Sequence, residues 1–292
     1  MEALLQLDGA LSRENFPLSR ISFVGTRGRT RLYLRVFTEK ALVDCLNFLM
    51  RRGVPFVVCG MCSNILWGDG FFRGVVVDTR GLGDVLVEGE RVICECGVSL
   101  SRFVKTCAVN FLAGAEELWG IPGTVGGAVV MNAGAFGRCM GELVEWVECW
   151  VNGEVVRLKG QDVEFSYRHS SLTDKIVMRV GLKLARTTAP LFKRMSLIAS
   201  MRRSRFPSGL SLGSVFKNPL GLYAGRLIEE AGLKGYNAGQ VRVSDRHANF
   251  ILSSRTAGAS DYIGLVNFVK EQVFRSSGVL LSEEIVYAGA FR

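Results

Sequence analysis

A glycine-rich segment covers residues 120–137, where the sequence reads GIPGTVGGAVVMNAGAFG. Glycine accounts for 34 of the 292 residues, but only 6 prolines accompany it and no G-X-Y period is present, which excludes a collagen-like chain. The glycines therefore serve local turns and close approaches of the backbone. Successive N–H groups without side chains in the way can hold a diphosphate, although tight turns at the corner of a barrel-like sheet would use the same residues.

Length and composition indicate a globular protein of about two domains. The chain is 48% hydrophobic, which is enough to build cores and excludes a disordered chain. Lysine and arginine exceed aspartate and glutamate by 36 − 27 = 9, and most of the basic residues are arginine. Because arginine binds carboxylates and phosphates through two parallel hydrogen bonds, the sequence favours anionic partners.

The cysteines and the N-terminus bear on the cellular compartment. All 8 cysteines precede residue 150, and most lie in apolar runs, as reduced buried thiols do. The pairs Cys59/Cys62 and Cys94/Cys96 do not favour zinc, because C-x-C is a poor tetrahedral clip, and we expect no metal. The N-terminal residues lack the basic start of a signal peptide, so we expect a cytoplasmic protein.

Hydrophobic spacing and turn residues predict an α+β chain without a membrane span. The uncharged run 118–137 contains several glycines and Pro122, which predicts turns rather than a transmembrane helix. Thr38 is expected to cap a helix that ends at Gly53, and Asn152-Gly153 to form the type I′ turn of a hairpin. The other predicted elements are strands at 55–59, 74–78, 175–185, 247–253 and 282–289, a hairpin at 84–98, and helices at 100–108, in the second half of 186–205, at 222–231, and from a Ser260 cap to Ser277.

Several common catalytic and nucleotide-binding motifs do not occur. The chain has no G-x-G-x-x-G after a strand, no Gly-Lys-Ser/Thr and no H-E-x-x-H, which removes the usual grounds for a Rossmann fold, a P-loop or a zinc protease. G-x-S-x-G occurs at 209–213, but no strand is predicted immediately before it, and His247 follows its would-be partner Asp245 by two residues. A serine hydrolase is therefore not favoured.

Two further segments carry chemistry. GSVFKNP at 213–219 places a hydroxyl, a cation and an amide within five residues, and FSYRHS at 165–170 contains a single arginine. By composition alone, the first could be a loop with a capping serine and the second an ordinary surface hairpin.

Together with the glycine-rich segment, these motifs resemble a known family. IPGTVGGAVVMNAGAFG, FSYRHS, GSVFKNP, AGRLIEEAGLKG, VSDRHANF and a final L-x-x-E-I/V match UDP-N-acetylenolpyruvoylglucosamine reductases of the shorter form in order and spacing, from about residue 20 to the C-terminus. The resemblance implies an α+β fold. Residues 1–190 would form an FAD-binding domain of the vanillyl-alcohol-oxidase type, in subdomains of roughly 1–80 and 81–190, and residues 191–292 a smaller substrate-binding domain.

The resemblance also implies an activity. Members of this family are flavoenzymes that use NADPH to reduce the enolpyruvyl group of UDP-N-acetylglucosamine-enolpyruvate, which gives UDP-N-acetylmuramate for peptidoglycan. FAD is expected to be non-covalent, because the only histidines, His169 and His247, both lie in matching motifs elsewhere. We expect a monomer without nucleic-acid or membrane partners.

Site residues are carried over from the matching motifs. Arg168 would stabilise the negative charge of an enediolate, Ser214 would deliver the proton, and Glu284 would complete the site. The neighbouring Glu283 raises a question of register, but the family has the functional carboxylate immediately before the branched residue, which implies Glu284. The implied FAD contacts are Gly60, Ser63, Asn64, Gly123, Thr124, Gly126, Gly127, Asn132 and Ala133, and the implied substrate diphosphate contacts are Lys217 and Asn218.

Two departures and two alternatives accompany the resemblance. Cys62 stands where the first flavin turn of the family usually has a second glycine, so that turn is expected to be displaced or to hold FAD less tightly. Phe206 stands where the family has glutamine before proline. Another FAD-dependent oxidoreductase of the same fold remains an alternative. So does a basic nucleic-acid-binding protein, favoured by the +9 charge and the arginine clusters at 13–35 and 186–205 but by no recognisable module.

Overall fold

The computed structural model describes residues 2–291, and these form two compact units that interleave along the chain. The first unit comprises the described residues up to 14, together with 32–61 and 74–201. The second comprises 15–31, 62–73 and the residues from 202 onward. The assignment of 1–190 to FAD and of 191–292 to substrate stays a prediction.

Strands come in long runs, over residues 56–95 and 134–186, with few α-helices between them, as in an α+β fold. The helices are α1 Glu2–Leu5, α2 Glu39–Arg51, α3 Leu100–Val109, α4 Val125–Val130, α5 Leu191–Arg205, α6 Ala224–Glu230 and α7 Ala259–Ser277. The strands are β1 Ala10–Pro17, β2 Arg29–Val36, β3 Phe56–Cys59, β4 Ile65–Trp67, β5 Phe71–Asp78, β6 Val85–Glu88, β7 Arg91–Glu95, β8 Leu112–Ala113, β9 Gly134–Ala135, β10 Arg138–Cys139, β11 Val144–Val151, β12 Glu154–Lys159, β13 Phe165–Ser166, β14 His169–Ser170, β15 Ile176–Lys183, β16 Ala185–Arg186, β17 Asn237–Ala238, β18 Val241–Val243, β19 Ile251–Ser253 and β20 Val286–Ala288.

The first unit is built on sheets and helices around one apolar core. A five-stranded antiparallel sheet has the order β12-β11-β15-β7-β6, and β3 pairs in parallel with β5 in a sheet of order β1-β2-β5-β3. Helices α2 and α3 bury their apolar faces, which include Leu42, Leu46 and Phe103, in a core shared with these strands. Burial of these faces is what stabilises the two helices.

The second unit has a core of its own. Its strands form a three-stranded sheet of order β17-β18-β19 and a parallel pair of β4 and β20. Tyr262, Val266 and Val269 of α7 and Leu227 and Ile228 of α6 pack in this core.

Local sequence rules are confirmed at three element boundaries. Thr38 caps α2, where its Oγ1 accepts a hydrogen bond from the Ala41 amide at 3.1 Å. Asn152 and Gly153 connect β11 to β12 with φ values of 50° and 103°, the positive angles that a type I′ turn requires. Gly278 ends α7 in the left-handed region, with φ 70°.

Three predicted elements differ from the structure. The strand predicted at 247–253 begins only at Ile251, because the Phe250 amide donates to the His247 carbonyl and closes a turn. The strand predicted at 282–289 is confined to Val286–Ala288. Helix α7 is capped by Gly258 rather than Ser260, since Ser260 lies inside the first turn and donates to Asp69 instead.

The eight cysteines are free thiols, and seven of them are buried. Burial raises the pKa of Cys45 to about 12, and that of Cys94 to about 12, so these thiols stay protonated at neutral pH. The prediction of packed, reduced thiols is confirmed. Within residues 2–291, no helix is both long enough and apolar enough to cross a membrane.

A buried charge cluster closes the end of β5. The Asp78 side chain is fully buried and accepts hydrogen bonds from the Tyr33 hydroxyl and from the guanidinium groups of Arg35, at 3.1 Å, and Arg80, at 2.6 Å. The adjacent Thr79 hydroxyl donates to the Cys59 carbonyl at 3.1 Å, at the end of β3. The cluster and the Thr79 bond therefore hold the end of β5 next to the end of β3, and the Gly60 turn follows directly after β3.

The Asp78 cluster makes stability depend on pH. Burial alone would raise the pKa of Asp78, but hydrogen bonds from Arg80 and Tyr33 outweigh it and hold the pKa below its ordinary value. A carboxyl with a lowered pKa in the folded state contributes stability above its unfolded pKa, near 4, and that contribution is lost as the pH falls.

Replacing Asp78 by Asn should remove this dependence. We expect Asp78→Asn to lower the free energy of unfolding by about 3 kcal/mol at neutral pH, because two guanidinium groups lose their buried partner. The difference from the unsubstituted protein should shrink toward pH 3, as measured by urea unfolding at several pH values. Asp44→Asn, which breaks only the exposed pair with Lys40, should cost less than about 1 kcal/mol. An equal loss at both ends of the pH range would contradict the argument.

Candidate functional site

The glycine-rich segment is anchored by its backbone at the start of α4. The Thr124 hydroxyl accepts from the Gly127 amide at 3.4 Å and caps the helix. The amides of Val125 and Gly126 donate to the carbonyls of Val98 and Cys96 at 2.7 and 2.9 Å. A Cβ at Gly126 would lie 2.7 Å from Cys96 Cβ, so this approach requires glycine.

The turn at Gly60 meets the same segment. A Cβ at Gly60 would overlap the Thr124 hydroxyl and methyl groups, so Gly60 can only be glycine while Thr124 caps α4. The structure thus brings two of the predicted cofactor segments together within the first unit. Gly127, by contrast, is exposed, and a Cβ there would meet only Thr124 Oγ1 at 3.5 Å.

These residues fit a diphosphate. Glycine backbone is exposed at Gly127 and closely packed at Gly60 and Gly126, so a ligand can come close to the main chain of this segment. The amides of Val125, Gly126 and Gly127 already donate to protein acceptors. What this stretch offers a ligand is therefore the exposed, side-chain-free surface at Gly127.

The end of the glycine-rich segment is tied to the hairpin of β13 and β14. The Asn132 amide group donates to the Ser166 carbonyl at 2.8 Å and accepts from the Gly141 amide at 2.9 Å. The Ala133 amide donates to the Ala128 carbonyl at 2.7 Å. Local sequence rules do not predict this hydrogen bond, because it joins two motifs that lie more than thirty residues apart. An asparagine among glycines is the one sequence feature that points to it.

Arg168 occupies the tip of that hairpin. Its backbone is left-handed, with φ 55°, and its guanidinium donates to the Gly134 carbonyl at 3.1 Å. The guanidinium also lies 5.2 Å from the centre of the Tyr167 ring. Arg168 is half-buried, so its positive charge is held at a defined place at the surface of the first unit.

In the second unit, three extended segments bring Ser214 and Glu284 onto neighbouring backbone. Ser214 forms a β-bridge with Phe250, and the next residue, Val215, accepts from the Glu284 amide at 2.8 Å. Two residues on, the Lys217 amide donates to the Ser282 carbonyl at 2.9 Å.

Asn249 fastens this arrangement from within. Its side chain is 4% exposed, accepts from the Phe216 amide at 2.9 Å and donates to the Phe216 carbonyl at 2.8 Å. Its own carbonyl accepts from the Val215 amide. Asn249 belongs to the VSDRHANF motif, but the motif alone does not predict that its side chain binds the backbone of Phe216.

The two adjacent glutamates face different surroundings. The Glu283 carboxylate pairs with Lys270 of α7 at 2.8 Å. The Glu284 carbonyl accepts from the Asn64 side chain at 3.0 Å, which places a residue predicted to bind the cofactor beside the predicted catalytic glutamate. The predicted diphosphate ligand Asn218 uses its side-chain oxygen to accept from the Ala224 amide at the start of α6, at 3.0 Å.

The Phe206 departure has a packing explanation. Its ring lies 5.7 Å from His247 and 5.4 Å from Phe250, and the Arg202 guanidinium sits 5.1 Å from its centre. Burial lowers the pKa of His247, so the imidazole is neutral at pH 7 and packs as an aromatic ring.

Comparisons with known proteins identify two families along the chain. Residues 30–159 match a family described as an FAD-binding domain, and residues 206–288 match the C-terminal domain of UDP-N-acetylenolpyruvoylglucosamine reductase. Enzymes of that name from Moorella thermoacetica and Caldanaerobacter subterraneus subsp. tengcongensis are similar to the chain. The first is 41% identical over 93% of this chain and 91% of its own length, and the second 40% identical over 85% and 84%.

A solved structure gives the same result. The crystal structure of UDP-N-acetylenolpyruvylglucosamine reductase from Thermus caldophilus superposes with a TM-score of 0.81 at 32% identity and covers 95% of this chain and 98% of its own. The expected α+β fold with an FAD-binding domain and a second domain is confirmed. Identity of this level over nearly the whole chain shows that it belongs to the UDP-N-acetylenolpyruvoylglucosamine reductase family of FAD-dependent oxidoreductases.

Proposed function

We propose that this protein uses NADPH and non-covalently bound FAD to reduce UDP-N-acetylglucosamine-enolpyruvate to UDP-N-acetylmuramate, a peptidoglycan precursor. The observation that carries the proposal is the pairing of the Ser214 and Glu284 segments: the Glu284 amide donates to the Val215 carbonyl at 2.8 Å. The protein would act in the cytoplasm as a monomer, without nucleic-acid or membrane partners.

FAD, once reduced by NADPH, would supply the hydride that adds to the enolpyruvyl double bond. Gly60, Ser63, Asn64, Gly123, Thr124, Gly126, Gly127, Asn132 and Ala133 would hold it. The packing of Gly60 and Gly126 against Thr124 and Cys96 supports this, because it brings two segments of glycine backbone together and leaves no side chain between them and a ligand.

Arg168 would stabilise the charge that develops on the substrate. Hydride addition to the double bond drives negative charge onto the adjacent carboxylate, as an enediolate. A guanidinium that already donates to the Gly134 carbonyl and is held over Tyr167 would not need to reorganise when that charge forms.

Ser214 would then deliver the proton to the adjacent carbon, and Lys217 and Asn218 would bind the substrate diphosphate. A serine hydroxyl is a weak acid, but an enediolate is a strong base, so the transfer is feasible. Of the two glutamates, Glu284 is favoured for the site because the Glu283 carboxylate is paired with Lys270.

Loss of Gly60 should abolish FAD binding. We expect Gly60→Ala to yield protein without visible flavin absorbance, because the new methyl group would overlap Thr124 in the turn that holds the diphosphate. Gly264→Ala is the matched control, since a Cβ there has nothing within 4 Å, and this variant should purify with full flavin content. A colourless unsubstituted protein would contradict the proposal as a whole.

Ser214→Ala should separate the two half-reactions. NADPH should reduce the flavin of this variant at the normal rate, while reoxidation by the enolpyruvyl substrate should slow by roughly 100- to 10,000-fold, the usual contribution of a general acid. Stopped-flow absorbance measures both steps. Ser211→Ala, in the G-x-S-x-G stretch, is the control and should leave both rates unchanged. Normal reoxidation in Ser214→Ala would remove the assignment of Ser214 as proton donor.

A further inference from the structure

Asn132 is a buried amide whose two polar groups are both used inside the protein. Its side chain is 5% exposed and bridges the Ser166 carbonyl and the Gly141 amide at 2.8 and 2.9 Å. Its backbone has φ 43°, a left-handed conformation that asparagine tolerates better than most residues. Its side chain is therefore already committed to protein partners.

The hairpin that it binds is the one that carries Arg168. Ser166 ends β13 and pairs with His169 of β14, and Arg168 is the second residue of the two-residue tip between them. The Arg168 guanidinium returns to the Gly134 carbonyl, two residues after Asn132, at 3.1 Å. Backbone and side chain of the hairpin tip are thus both tied to residues 132–134.

The neighbouring contacts hold the base of the hairpin rather than its tip. The Ser170 hydroxyl donates to the Val130 carbonyl at 2.7 Å, and Phe165 packs so closely on Gly141 that a Cβ there would lie 2.5 Å from the Phe165 ring. Among these contacts, the bond from Asn132 to Ser166 is the one that lies directly before the tip, at the end of β13.

We propose that Asn132 is a positioning residue for Arg168, an inference that rests on the proposed function of Arg168. One planar amide supplies the donor for Ser166 and the acceptor for Gly141, and no charged or apolar residue of the same size supplies both. Without it the tip would move relative to Gly134, and displacement of a charge-stabilising group by about 1 Å can slow a reaction about 100-fold.

Asn132→Asp tests the inference without a change of size. The carboxylate keeps an acceptor for Gly141 but loses the donor, and it faces the Ser166 carbonyl across the 2.8 Å contact of the wild type. Protonation restores an O–H donor. Burial raises the pKa of such a carboxyl, so the rate of flavin reoxidation by substrate, relative to wild type, should recover as the pH is lowered from 8 to 6. Rates are taken per bound flavin, because Asn132 is also among the residues proposed to hold FAD. The rate of flavin reduction by NADPH should not show this recovery with pH. A ratio independent of pH would overturn the inference.

A double-mutant cycle separates failure of this inference from failure of the proposed function. Asn132→Ala should slow reoxidation about 100-fold alone, but less than about 2-fold when added to Arg168→Ala, because the effects of residues that act through one hydrogen-bond network are not additive. Asn47→Ala, which removes a different side-chain amide bond of the first unit, should affect neither background. Additive losses would show that Asn132 acts independently of Arg168. Normal reoxidation in Arg168→Ala alone would instead remove the proposed role of Arg168.

Discussion

The first unit depends on backbone segments that approach one another more closely than any side chain permits. Gly60 lies against the Thr124 hydroxyl, Gly126 against Cys96, and Gly141 against the Phe165 ring, and a methyl group at each position would overlap its neighbour. Interiors are close-packed, so such contacts cannot be relieved by a small shift. Because Thr124 also caps α4, the three contacts fix the Gly60 turn, the start of the helix and the Arg168 hairpin relative to one another within this unit.

Single buried amides perform a related task in both units. Asn132 in the first unit and Asn249 in the second each donate one hydrogen bond and accept another from backbone groups distant in sequence. Each stands next to a segment that carries a proposed catalytic residue, Arg168 in one unit and Ser214 in the other. A buried amide with both bonds made is stable only in one arrangement, since either bond broken leaves an unsatisfied group that costs about 1–3 kcal/mol. These residues thus favour one geometry over its alternatives.

The features that depend on neighbouring residues, such as caps and turns, could be predicted from the sequence. The features that depend on residues distant along the chain could not. The Thr38 cap and the Asn152-Gly153 turn need only nearby residues, and both are present as predicted. Ser260 is predicted to cap α7 from its local sequence. In the structure its amide donates to Asp69, almost two hundred residues away, and Gly258 is the N-cap instead. The membership of 15–31 and 62–73 in the second unit has no local signal either. For the site, the motifs supplied the candidate residues, and the family pattern already favoured Glu284 over Glu283. The ion pair between Glu283 and Lys270 of α7 supports that choice and has no local signal.

Cys62 shows that the shape of the turn, rather than the glycine itself, is what this chain retains. Its φ is 59°, in the left-handed region where the family usually has glycine, and its side chain is 4% exposed. A residue with a Cβ pays roughly 1–2 kcal/mol for this conformation, so the surrounding structure must impose it. We expected the side chain to displace the turn or loosen FAD. The structure shows the thiol buried, so the cost of the left-handed backbone is borne by the surrounding packing; that the turn holds FAD less tightly stays a prediction.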